Sequence, residues 1–187
     1  MRLRFNFEKS LQAAGVLLRL EEGRMSYMRL LKLLYIADRE MLAATAASIT
    51  GDQGFAMKYG PVLSHVYDLI QGAGSRFDDW DRHIRTQGYA VKLVEDPGRG
   101  KLSRGEIEKL TEVSDRHRSK DQWELSDLTH DFPEWRRHWP EGAEVGSYLI
   151  PWEDILAAQG EGRETIEVVE EEEAARNYME DLFGPAR

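Results

Sequence analysis

Asp38, Lys58 and His130 are the side chains whose types and settings offer chemistry. A carboxylate, an amine and an imidazole meeting in one cleft would supply a general base, a cation and a proton shuttle. Asp38 falls on an apolar helical stripe, between Tyr35 and Leu42. A carboxylate there is either a general base or an acceptor for hydroxyl and backbone N–H groups, because a buried one must be satisfied. Buried carboxylates are more often structural, so Asp38 is expected to hold the Gly60 turn, within Met57–Pro61. The same choice applies to Lys58 and His130, where a structural partner is preferred to a proton shuttle.

Other reaction types find no motif. Cysteine is absent, which removes disulfides, thiolate metal sites and cysteine nucleophiles together. Gly98-Arg99-Gly100-Lys101 lacks phosphate-loop spacing and precedes a capped helix instead of following a strand into one. Of the histidines at 65, 83, 117, 130 and 138, none pairs with another at the three- or four-residue spacing that places two metal ligands on one helix face. His130, Asp131 and His138 remain as a set that only long-range assembly would bring to a metal. The residues therefore predict no catalytic group, no metal and no cofactor, and a binding protein in place of an enzyme. The aromatic residues suit that role. Trp135, Trp139 and Trp152 form a candidate anchor cluster, since interface energy concentrates in a few aromatic or arginine positions.

The elements that must position these residues follow from periodicity and caps. Phe7, Leu11, Ala14 and Leu18 recur at helical spacing and predict a helix over Phe7–Glu22, closed by Gly23. Ser26 caps a second helix, Tyr27–Ala47, with Leu31, Leu34, Tyr35, Met41 and Leu42 on its stripe and Lys32 off its centre. Glycines at 51, 54 and 60 break the period, and Phe55–Tyr59 reads as a short strand. Gly60 and Pro61 then open a helix over Pro61–Ile70, with proline in the first turn. Ser75–Arg85 reads as an irregular excursion and Tyr89–Val94 as a strand. Ser103 with Glu106 makes a capping box for Arg104–His117, and Ser119 with Gln122 repeats it for Gln122–Thr129. Pro151 starts a short helix through Leu156, and Glu170–Phe183 forms a terminal one with Ala175, Tyr178, Met179 and Leu182 on one face. The fold class is α+β, mostly α: a compact helical domain with a small β-sheet, plus an acidic C-terminal helix or tail.

Length and charge bound the function. The 187 residues fit about one domain, with residues 1–160 as its body and 161–187 as an acidic extension. Nine acids and three bases between Glu161 and Arg187 place −6 of the net −9 there. Such a chain is repelled by the phosphate backbone, so bulk nucleic-acid binding is not expected. The acid run reads as a solvated helix face or as a contact for a basic partner, the first being the commoner use. No apolar run approaches the ~20 residues of a membrane helix, and no signal peptide is visible, so the expected location is cytoplasmic.

Particular residues also carry a family likeness. The run Leu30-Leu31-Lys32-Leu33-Leu34-Tyr35-Ile36-Ala37-Asp38-Arg39 is followed by Ala56-Met57-Lys58-Tyr59-Gly60-Pro61-Val62 and Val66-Tyr67-Asp68. Leu102-Ser103 with Glu106, and Leu125-Ser126-Asp127-Leu128-Thr129-His130 followed by Trp135, continue the pattern. Over roughly Phe7–Leu156 the chain resembles the Panacea domain, the SocA-like antitoxin domain, with Asp131-Phe132-Pro133-Glu134 padding the step from His130 to Trp135. The resemblance implies a mostly helical α+β domain of prokaryotic or phage origin, encoded beside a toxin that it neutralises by direct binding. Toxin identity does not transfer, because the family pairs with many unrelated toxins. On this reading the partner-binding residues are Lys58, Tyr59, Tyr67, Trp135 and Trp139, and the structural ones Asp38, Gly60, Pro61, Thr129 and His130. For Tyr59 and Tyr67, core packing is the competing role. Two alternatives stay open. One is a small phage-encoded enzyme using Asp38, Lys58 and His130. The other is a helical DNA-binding regulator with a basic face made by Arg82, Arg85, Arg116, Arg118 and Lys120.

Overall fold

The computed structural model describes residues 3–160 and 162–183; Glu161 and residues 184–187 of the expected acidic extension lie outside them. The described elements are α1 (Phe7–Leu20), β1 (Arg24–Ser26), α2 (Tyr27–Thr45), β2 (Gly54–Met57), β3 (Gly60–Leu63), α3 (Ser64–Ile70), α4 (Phe77–His83), β4 (Ile84–Gln87), β5 (Ala90–Leu93), α5 (Arg104–Arg116), α6 (Gln122–His130), α7 (Pro133–His138), β6 (Ser147–Ile150), α8 (Trp152–Ala158) and α9 (Arg163–Phe183). The α+β, mostly helical class holds.

Helix α2 is the axis of the molecule. Every residue from Arg29 to Asp38 is buried, because α1, α5, α6, α8, β1 and β3 surround the helix. A helix apolar on all sides is a buried one, and the leucine-rich run supplies that. Ser26 caps it as expected, its Oγ accepting from the Arg29 N–H at 3.1 Å. Ala46, in a left-handed conformation at φ +56°, ends it. The capping box of α5 is present, with Ser103 accepting from Glu106 N–H and the Glu106 carboxylate accepting from Ser103 N–H.

Several expectations need correction. There are two three-stranded antiparallel sheets, β1-β5-β4 and β3-β2-β6, so the two expected strands belong to different sheets. Pro61 does not open a helix. It lies in β3 opposite Ala56, and helix α3 starts at Ser64. A proline is tolerated there because β3 is an edge strand, where the missing N–H breaks no ladder. The expected excursion contains α4, whose Trp80 is fully buried. The box of α6 is Asp121 with Glu124, not Ser119 with Gln122; the Asp121 carboxylate stands directly before the helix and accepts from Trp123 and Glu124 N–H groups. Strands β1 and β6 and helix α7 complete the fold without a sequence signal of comparable strength.

Asp38 also serves a different segment from the one expected. Its carboxylate accepts from Ser48 Oγ at 2.8 Å, Ile49 N–H at 2.5 Å, Thr50 N–H at 3.1 Å and the Thr50 hydroxyl. It therefore holds the loop after α2 and not the Gly60 turn. Burial pushes its carboxyl up from the ordinary value, and these bonds from Thr50, Ser48 and Ile49 push back. Asp52, one loop further, accepts from His65 and Val66 N–H groups and caps α3 from outside that helix.

Candidate interaction surface

The hairpin of β2 and β3 turns through Lys58 and Tyr59, with Met57 opposite Gly60. Gly60 sits at φ +93°, the left-handed region. It also has no room for a side chain, since a Cβ would lie 2.4 Å from Thr129 Oγ1 and 2.8 Å from Lys32 Nζ. Two independent constraints thus require glycine at this position.

The turn's backbone carbonyls are gripped from below by side chains. The Trp135 indole N–H donates to Met57 O at 3.0 Å, His130 Nε2 lies 3.1 Å from Lys58 O, and Ser126 Oγ donates to Tyr59 O at 3.0 Å. Lys32 Nζ donates to Pro61 O at 2.8 Å. With a carbonyl as its partner, His130 Nε2 must carry the proton. Burial, helped by Lys32, pushes its pKa down, and the bond to Lys58 O pushes it back up. Helices α2, α6 and α7 therefore converge on four carbonyls, and the free ends of the Lys58 and Tyr59 side chains face solvent from a held backbone. Gly60, Pro61, Thr129 and His130 all stand in this clamp.

Lys32 was expected off the centre of its stripe. Instead it is 1% exposed, and no carboxylate lies within ion-pair distance among the described residues. Burial alone pulls its ammonium down from 10.5 to about 7. A signal existed in the sequence: Lys32 is embedded between Leu30-Leu31 and Leu33-Leu34, so no face of the helix there is polar.

Ring systems spread outward from the clamp. Tyr59 is 47% exposed, meets Trp123 edge-on at 5.7 Å and has Lys58 Nζ 5.9 Å from its ring centre. A second series runs His130–Trp135 at 4.2 Å, Trp135–Trp139 at 5.9 Å and Trp139–Tyr148 at 5.8 Å. Lys58, Tyr59, Trp135 and Trp139 thus share one region. Tyr67 is half-buried on α3 and joins a tyrosine group: after burial itself, Tyr67, Tyr89 and Tyr59 are what raise the pKa of Tyr27. Trp152 leaves the expected tryptophan trio, packing with Leu42, Leu156 and Val169. Tyr148 and Trp123, which sequence reasoning did not select, take part instead. Helix α7 is fixed by Glu134, fully buried, which accepts from Arg39 Nε at 2.6 Å.

The other proposed constellations do not assemble. Asp38 has both oxygens committed to Ser48–Thr50, and Lys58 and His130 meet only through the Lys58 carbonyl. His138 Nε2 is taken by Asp154 at 2.6 Å, and no group of three metal-ligating side chains occurs among the described residues. Each arginine of the suggested basic face has an acid beside it: Arg82 by Asp79, Arg85 by Asp81, Arg116 by Glu40 and Glu112, Arg118 by Asp115. No helix of the described residues is long and apolar enough to cross a membrane.

A family model described as antitoxin SocA-like, Panacea domain, matches residues 30–136, more than half of the sequence. The chain belongs to that family. No curated protein and no solved structure matches it. The matched span contains the whole clamp, from Lys32 through the hairpin to Trp135; Tyr148, α8 and α9 lie beyond it.

Proposed function

We propose that this protein is the antitoxin of a toxin–antitoxin pair, neutralising the product of a neighbouring gene in the cytoplasm by direct binding and turning over no substrate. Residues 1–160 form the binding domain and 161–187 an acidic extension. Family membership supports the antitoxin class, and the clamped hairpin carries the choice of surface. Four carbonyls tied to side chains hold the turn in one conformation. Less freedom is then lost when a partner docks on it. Lys58, Tyr59 and Trp123 are exposed there, with Trp135 and Trp139 beside them and Tyr67 at the margin. A net charge of −9 and arginines already matched by acids favour a protein partner over nucleic acid.

The test is co-expression with the adjacent gene in a growth assay, paired with co-purification. The wild-type chain should restore growth and bring the toxin with it. Lys58→Glu and Tyr59→Ala should remain folded and lose both. A non-toxic neighbour, or rescue without association of the two proteins, would refute the reading.

A further inference from the structure

Helix α9 is apolar on two sides, and the body of the protein covers only one. At about 100° per residue, Ile166, Val169, Glu173 and Asn177 fall on one side. Val169 is fully buried and Glu173 is 5% exposed; this side rests against the cluster of Leu42, Trp152 and Leu156, with Ile166 packed on it. Asp181 ties the far end of the helix to Arg4 at 3.1 Å. Val168, Ala175, Met179 and Leu182 fall within an arc of about 60° on nearly the opposite side. They are open to solvent, with Val168 at 47%, Met179 at 54% and Leu182 at 55% exposure. Tyr178, more exposed still, borders them. The stripe runs for about 21 Å, the rise of fourteen helical residues. Glu171 and Glu172 flank it, exposed and without a hydrogen bond or ion pair among the described residues.

We propose that this outward stripe of α9 is a second docking face for the protein partner, and that it fits a partner surface that is apolar along its centre and lined with lysine or arginine at its edges. The proposal rests on the antitoxin reading above. Charge selects the occupant. A second copy of this chain answers neither charge: laid parallel it brings Glu171 and Glu172 against their own equivalents, and laid antiparallel about Ala175 it sets them beside Met179 and Tyr178, which carry no charge. A nucleic acid is refused for the same reason, and an apolar stripe has nothing to gain from a phosphate backbone. A cationic protein face gains from both features, the stripe through burial and the glutamates through attraction. The helix is already formed and anchored on its inner side, so docking need not order it. It also lies outside the matched family span, so this second face adds selectivity to whatever the hairpin supplies.

The experiment is calorimetric titration of the full-length chain with the neighbouring gene's product, at low and high salt. Met179→Glu with Leu182→Glu removes the apolar stripe. Glu171→Gln with Glu172→Gln removes the flanking charge and leaves the apolar residues in place. Circular dichroism reports whether the helix survives each change. The first pair should weaken association by about tenfold or more. The second should weaken it severalfold and flatten its salt dependence. If the first pair unfolds α9, the glutamine pair still decides the matter through the salt slope. Unchanged affinity and salt dependence in both variants, with the wild type bound, would overturn this proposal and leave the antitoxin reading standing. No association by the wild type would overturn both. Light scattering that shows self-association, abolished by Met179→Glu with Leu182→Glu, would assign the stripe to a second copy and overturn the proposal.

Discussion

Replacing Lys32 by methionine tests the clamp at its most costly point. The lysine is buried, has no acidic partner among the described residues, and spends its one hydrogen bond on Pro61 O. Its folded-state pKa is about 7 against an ordinary 10.5. Between those values the unfolded chain binds a proton that the folded chain does not, so stability rises with pH. With Lys32 half-protonated at pH 7, the gain from pH 7 to pH 9 is about 2 kcal/mol, from about 1.4 kcal/mol per unit once the amine is neutral. Between pH 6 and pH 7 this group adds only about 0.4 kcal/mol, and below about pH 6 it adds no further slope. Tyr27 and Tyr35, whose pKa values are raised by burial, titrate above the window. Lys32→Met keeps the volume, abolishes the titration and leaves Pro61 O without a donor, a loss of about 1 kcal/mol. Urea unfolding of both proteins at pH 6, 7, 8 and 9 gives the difference curve. It should rise by only about 0.4 kcal/mol from pH 6 to pH 7 and then climb by about 2 kcal/mol up to pH 9 in favour of the wild type. A difference curve flat across the whole range would mean that Lys32 keeps its charge in the fold, and the account of a neutral buried amine under the hairpin would be wrong.

The remaining predictions concern the same framework. Asp38→Ala should lower the unfolding free energy by about 1–3 kcal/mol, because two backbone N–H groups and two hydroxyls lose their acceptor; a variant that melts like the wild type yet loses partner binding would contradict the structural role. Gly60→Ala should cost at least about 1–3 kcal/mol, read by thermal melting, since strain at positive φ adds to the collision with Thr129 and Lys32. An unchanged melting temperature would show that the hairpin relaxes freely.

The sequence made the helices legible where one face was apolar and one polar. Helices α1 and α5 followed from period and caps to within a residue or two at each end. The failures share a cause, which is tertiary pairing. Pro61 looked like a helix opener by local preference, yet the ladder with β2 and the donor from Lys32 place it in a strand. Strand β6 has no strong pattern of its own and exists because β2 offers it an edge. Asp38 was legible as a buried acceptor, but its partners lie ten to twelve residues downstream in a loop with no period to read. The aromatic surface was half legible. Residue type marked Tyr59, Trp135 and Trp139, whereas the parts of Trp123 and Tyr148 depend on which elements meet the hairpin.

The hairpin residues that lie within the matched family span acquire a physical reading from this arrangement. In Met57-Lys58-Tyr59-Gly60-Pro61, the backbone is the fixed part: four carbonyls bind Trp135, His130, Ser126 and Lys32, and Gly60 leaves room for Thr129. None of those bonds involves the Lys58 or Tyr59 side chain. A scaffold that grips a turn only by its main chain leaves the two outward side chains free to change without loss of the grip. Contact chemistry at the tip is thereby separated from the stability of the fold. In this chain the tip presents a cation and an aromatic ring, while α9 presents glutamates and an apolar stripe. A partner that answers both must carry an electron-rich or acidic patch for Lys58 and a basic one for Glu171 and Glu172. Its charge is therefore expected to be divided between two sites.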